Sequence, residues 1–112
     1  MFEIYRTMPE QIFEPALQEL DLSEVLAALS DPVRLEMVAD IHRRGEVICN
    51  TLVPELAKST RSHHLKVLRE AGVTRTRLEG TERHVSLRYD CLRKRFPGVL
   101  DSVLASLKRT TR

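Results

Sequence analysis

Tryptophan is absent from this chain of 112 residues, and three Phe and two Tyr supply its Phe/Tyr/Trp aromatics. A platform for single-stranded nucleic acid, on which successive bases stack against aromatic side chains, therefore has little to be built from. Cysteine is scarce as well: Cys49 and Cys91 are too few for a disulfide scaffold, and free thiols in a reducing compartment are the expected state. No apolar run reaches the ~18 to 20 residues needed to span a bilayer, and the opening MFEIYRTMPEQIFEP lacks a basic stretch followed by an apolar core. No membrane partner and a cytoplasmic location are therefore expected. Catalytic patterns are missing too: there is no Ser/His/Asp order, no phosphate-cradling glycine loop and no paired-carboxylate pocket. The sequence shows no repeat and no low-complexity segment. Its length suits a single domain over residues 1–112, without room for a buried multi-part active site, so neither an enzyme nor a cofactor is expected.

What the chain does have is segregated charge. Met1 to Ala57 carries eleven acidic and four basic residues, a balance of −7, whereas Lys58 to Arg95 carries four acidic and eleven basic, a balance of +7. The overall +2 conceals this division. A basic patch confined to one segment is the footprint of a nucleic-acid surface, because each neutralised phosphate releases condensed counterions.

The basic segment opens on KSTRSHHLKVLREAG, Lys58 to Gly72, a pattern that predicts a short helix. At ~100° per residue, Leu65, Leu68 and Ala71 share one stripe, and Ser59, Ser62, His63, Lys66 and Arg69 share the opposite one. Serine, histidine, lysine and arginine reach phosphate oxygens and the N7 and O6 acceptors of guanine in a major groove, which admits one helix. Val73 to Glu79 and Arg83 to Tyr89 follow as β-prone runs around Gly80-Thr81-Glu82; Val85, Leu87 and Tyr89 alternate with His84, Ser86 and Arg88. This predicts a hairpin with one wet, basic face. A reading helix followed by a basic hairpin is the layout of a winged helix-turn-helix bound to double-stranded DNA.

Ahead of that unit, LSEVLAAL at Leu22 to Leu29 predicts one helix. Asp31-Pro32 supplies a cap and a first-turn proline for a second helix, which runs to about Arg44 and stops at Gly45. Glu46 to Cys49 suits a small edge strand, and Thr51 to Leu56 a short helix with Pro54 in its first turn. After the break at Phe96-Pro97-Gly98, Leu100, Val103, Leu104 and Leu107 form a stripe with little left inside so small a domain to cover it. That stripe and its natural partner, Leu22, Val25, Leu26 and Leu29, are the expected interface of a homodimer, on an N-terminal helix of about residues 10–29 and a C-terminal helix of about 96–108. The alternative is packing of the C-terminal stripe on the chain's own core. The expected fold is mainly α with a small β-hairpin (α+β), in the order α-α-(β)-α-α-β-β-α.

LSDPVRLEMV at Leu29 to Val38, STRSHHLKVLREAGV at Ser59 to Val73 and a Gly-tipped wing ending in VSLR together resemble the ArsR/SmtB family of bacterial winged-helix repressors. The resemblance covers roughly Leu22 to Leu107 and implies a homodimer that occludes a promoter and leaves it when an inducer binds. Metal sensing fits poorly. Soft-metal sensors of the family carry Cys-x-Cys where this chain has Val47-Ile48-Cys49-Asn50, and one thiolate cannot build a tight three-coordinate site. Zinc or nickel sensors place His and carboxylates on the last helix, whereas Phe96 to Arg112 holds Asp101 and no His. No metal site is expected.

The residues expected to touch DNA are Lys58, Ser59, Thr60, Arg61, Ser62, His63, Lys66 and Arg69 of the reading helix, with Arg75, Arg77, Arg83 and His84 of the wing. Arg61 departs from the aliphatic residue usual in relatives; it either reaches a phosphate past the core edge or pairs with a carboxylate. His64, nearer the apolar stripe, reads as a structural, hydrogen-bonded histidine. Cys49, with Cys91, is the candidate redox sensor, set against an inert buried thiol. The competing function is a winged module that meets an acidic protein partner without reading sequence.

Overall fold

The structure, a computed structural model, describes residues 12–110, with side chains as far as Leu107. Among the described residues it forms five helices and one three-stranded antiparallel sheet: α1 (Leu22–Ala28), α2 (Pro32–Arg44), β1 (Val47–Ile48), α3 (Lys58–Glu70), β2 (Thr74–Glu79), β3 (Glu82–Leu87), α4 (Tyr89–Arg95) and α5 (Val99–Thr110). The winged helix-turn-helix expected from the residues is the fold observed.

Helix α2 starts where its cap dictates. The Asp31 carboxylate accepts the N–H groups of Val33 at 2.8 Å and Arg34 at 3.1 Å, and Pro32 occupies the first turn, where no N–H is needed. Those bonds, that of Arg34 foremost, hold the Asp31 carboxyl below its ordinary range. The helix buries Met37, Val38 and Ile41 completely, facing β3, α3 and α5. Helix α3 ends as its Gly predicts: Val73 N–H reaches back to the Leu68 carbonyl at 2.9 Å, with Gly72 at φ +90°, where a side chain is disfavoured.

β3 is the central strand, with β1 and β2 on either side. Val47 faces Val85, and the β2–β3 ladder runs from Thr74 opposite Leu87 to Glu79 opposite Glu82. The two-residue loop between them needs a positive φ at its first position, which Gly80 provides at +63°.

Four expectations are corrected. The segment Thr51 to Leu56 is not a helix: a 3-10 turn spans Cys49–Thr51, and Val53 then takes φ +42°, a left-handed value incompatible with a right-handed turn. Of the expected N-terminal helix of about residues 10–29, only α1 (Leu22–Ala28) is α-helical among the described residues. Residues 10 and 11 lie outside the described part, and residues 12–21 run without an α-helix, holding only a 3-10 turn at Leu17–Glu19. Helix α4 was not expected, since its seven residues YDCLRKR bury only Leu92 and give no apolar period. Finally, Val25, Leu29, Leu100 and Leu104 belong to the chain's own core, at 2%, 5%, 3% and 8% exposure. Side chains so buried offer no surface to a second protomer. Leu22 and Leu26 are exposed, and Val103 and Leu107 half-buried.

Candidate nucleic-acid interface

Helix α3 is held by its apolar stripe and leaves its polar stripe in solvent. Leu68 is fully buried and Leu65 half-buried, while Lys58, Ser59, Thr60, Ser62, His63 and Lys66 are all exposed. Burial of a leucine side chain contributes about 1.5–3 kcal/mol, so the apolar stripe fixes the rotation of the helix. At the start of α3, Ala57 supplies no side-chain acceptor to the first-turn N–H groups. A helix N-terminus of this kind presents donors and positive potential to an anion.

A bridge from α2 fixes the angle of α3. Arg34 Nε donates to the Ala28 carbonyl at 2.6 Å and its Nη1 meets His64 Nδ1 at 3.1 Å, so that one guanidinium ties the end of α1 to the reading helix. His64 therefore has the structural, hydrogen-bonded role read from its place in the sequence.

Arg61 is corrected. It is buried to 9% exposure, and its Nη1 donates to the Leu56 carbonyl at 3.4 Å at the turn preceding the helix; among the described residues no carboxylate pairs with it. The apolar side of α3 carries this position inward, and the backbone carbonyl accepts what the buried guanidinium must donate. Arg69 is half-buried, its Nε bonded to the Phe13 carbonyl at 3.0 Å.

The wing is less uniformly basic than its sequence. Arg75 and Arg77 are exposed and Arg83 is half-buried. Arg77 is gripped by two carboxylates, Glu46 at 2.7 Å and Glu79 at 2.9 Å, which raise its pKa and in the case of Glu46 lower the carboxyl's own. Exposed ion pairs of this kind stabilise a fold little. They do cancel much of the charge that an approaching phosphate meets. His84 is also corrected. As a residue of the central strand it sits opposite both Ile48 and Arg77, half-buried among Glu82 at 3.4 Å, Glu79 at 3.7 Å and Glu46 at 3.7 Å, rather than on an open basic face. Arg88, read as part of the wet face, is 6% exposed; its Nη1 donates to the Pro15 carbonyl at 2.8 Å and its Nη2 to Cys91 Sγ at 3.4 Å.

Both cysteines are free thiols, half-buried against the core. Cys49 lies in the 3-10 turn after β1 and Cys91 in α4. Among the described residues no group of three or more His, Cys, Asp or Glu side chains could hold a metal ion.

Sequence reasoning missed the groups that orient this surface rather than those that face outward. Glu14, Arg34, Glu46 and Arg88 act over separations of 30 to 73 residues. A local period carries no trace of such pairings, although the Asp-Pro-x-Arg-Leu string does mark Arg34.

No protein-family model matches the chain. It is 36% identical over 84 residues to the uncharacterized helix-turn-helix-type transcriptional regulator YceK of Bacillus subtilis (strain 168), a match that covers 72% of this chain and 84% of that one. Among solved structures, the transcriptional repressor BigR from Xylella fastidiosa shares the fold with a TM-score of 0.61 at 24% identity, over 81% of this chain and 87% of that one. An ArsR-like transcriptional regulator from Rhodococcus sp. RHA1 does so with a TM-score of 0.56 at 24% identity, over 81% and 92% of the two chains.

Proposed function

Since the chain belongs to the ArsR/SmtB family of winged helix-turn-helix transcriptional regulators, we propose that it is a homodimeric, sequence-specific repressor whose α3 reads the major groove of a pseudo-palindromic operator. The observation that carries this reading is the exposed polar stripe of α3, which presents Ser59, Ser62, His63 and Lys66 together while the opposite stripe is buried. His63 and Lys66 reach base edges; Lys58, Ser59, Thr60 and the uncapped first turn take a phosphate; Arg75, Arg77 and Arg83 of the wing lie along the neighbouring backbone. Leu22 and Leu26, exposed at 40% and 47%, are apolar enough to want cover and supply the dimer contact. An inducer, or oxidation of a thiol, releases the operator.

The test is fluorescence anisotropy of the reduced protein on duplex DNA from the promoter of its own gene and on sequences selected from a random library, at two salt concentrations and against excess unrelated duplex. Binding that survives competition is expected, and Lys66→Ala or His63→Ala should each weaken it by about 1–3 kcal/mol, the worth of a lost base-edge contact. Affinity unchanged in both variants would remove α3 as the reader. Failure to select any preferred sequence would leave a winged module whose basic face meets an acidic protein.

A further inference from the structure

Residues 13–20 form a strap that touches both halves of the proposed reading surface. The Phe13 carbonyl accepts Arg69 Nε at 3.0 Å, at the end of α3. Next along the chain, Glu14 Oε2 accepts the Thr76 N–H at 2.8 Å, and Oε1 lies 3.6 Å from Arg75 Nε, both on β2. The Pro15 carbonyl accepts the buried Arg88 Nη1 at 2.8 Å, just after β3. Leu20, 3% exposed, closes over Gly72; a Cβ built on that glycine would stand 2.1 Å from Leu20 Cδ2.

These contacts fall on the two sides of one joint. Only Ala71, Gly72 and Val73 link α3 to β2, and Gly72 carries no side chain to stiffen the turn. β2 is an edge strand, so its outward N–H groups have no further strand to pair with, and Glu14 supplies the acceptor for one of them. Glu14 therefore fastens to the wing, one residue away from a carbonyl fastened to the reading helix. Arg88 is anchored in the core and fixes the strap from beneath. Among the described residues its hydrogen-bond partners are the Pro15 carbonyl and Cys91 Sγ, with no carboxylate.

We infer that Glu14 is a positioning residue for sequence recognition: through Thr76 and Arg75, with Pro15 held by Arg88, it sets the angle between α3 and the wing so that base and phosphate contacts are made at the same time. The inference rests on the reading of α3 and the wing as a DNA surface. Its distinguishing feature is that Glu14 is acidic and sits beside Arg75. A residue that merely added electrostatic affinity would not carry that charge there. Losing it removes negative charge from the surface and so cannot weaken non-specific binding through charge alone.

Two variants and two measurements test this. Glu14→Ala should lower affinity for the preferred duplex about tenfold, the scale of one lost specific contact, while affinity for unrelated duplex stays level or rises. Glu14→Gln keeps an acceptor for Thr76 and should restore most of the specific affinity. Hydrogen exchange without DNA provides the second measurement: the Thr76 amide should exchange at least about tenfold faster in Glu14→Ala and near the wild-type rate in Glu14→Gln. Unchanged specific affinity together with unchanged exchange at Thr76 overturns the inference. So does equal weakening of all duplexes in both variants, which would make Glu14 a general stability residue. If the wild type shows no sequence preference while Thr76 exchange still depends on Glu14, the brace stands and the DNA-reading proposal falls.

Discussion

Substituting Gly72 by alanine probes the joint between helix and wing, and its effect follows from two separate observations. The backbone there has φ +90°, a conformation in which a residue with a Cβ loses about 1–2 kcal/mol relative to glycine. The added methyl would also meet Leu20 Cδ2 at 2.1 Å, with Leu20 Cγ at 3.4 Å and Pro15 Cγ at 3.5 Å behind it. Leu20 is buried, so relief requires a change in its packing, and overpacking of a core costs about 1–3 kcal/mol. The two terms together give a destabilisation of roughly 2–5 kcal/mol. Gly98→Ala is the control: φ is +87° there but nothing lies within 4 Å of the added atom, so only the backbone part of about 1–2 kcal/mol applies. Equilibrium unfolding in urea, followed by far-UV circular dichroism at one fixed protein concentration, measures both, since association would otherwise shift the midpoint. A double-mutant cycle isolates the packing part. Leu20→Ala alone should cost about 2–5 kcal/mol, and in that background Gly72→Ala should cost about 1–3 kcal/mol less than it does by itself. The reasoning is refuted if Gly72→Ala is no worse than Gly98→Ala, or if the Leu20 and Gly72 effects simply add.

Three further outcomes follow from the surface and the caps. Glu46→Gln together with Glu79→Gln should release Arg77 from both carboxylates, raising affinity for any duplex and steepening the dependence of log K on log salt by about one unit; an unchanged slope would show that Arg77 does not reach the backbone. Acid should unfold the wild type more steeply than Asp31→Asn. The Asp31 carboxyl is held below its ordinary value of 3.8, so its stabilisation is complete above that value and disappears as pH falls through the depressed one, whereas asparagine caps without titrating. Coincident acid-unfolding curves would mean that the cap contributes nothing through its charge. Leu22→Glu with Leu26→Glu should convert a dimer to a monomer in sedimentation experiments without lowering helix content, because both side chains are exposed; an unaltered sedimentation coefficient would place the interface elsewhere.

Much of this molecule is determined by local chemistry and can be read along the chain. The Asp31-Pro32 start and the Gly72 stop require only their own hydrogen bonds and φ values. The rotation of α3 is set by Leu68 opposite Lys66 and His63, a consequence of helical period, and the hairpin needs little beyond β-prone runs around Gly80. What only the tertiary structure decided involves residues far apart in sequence. Leu100 and Leu104 form the same apolar stripe whether a second protomer or α2 covers it, and periodicity cannot distinguish the two. Val53 adopts a left-handed backbone between two packed elements, which converts an expected helix into a turn. His84 in β3 and Arg88 just after it keep the expected alternation, yet the carboxylates around His84 and the Pro15 carbonyl decide that neither stands on an open basic face. A basic side chain is free for DNA only if no acceptor folds onto it, and here the Pro15 carbonyl and Glu46 arrive from distant parts of the chain.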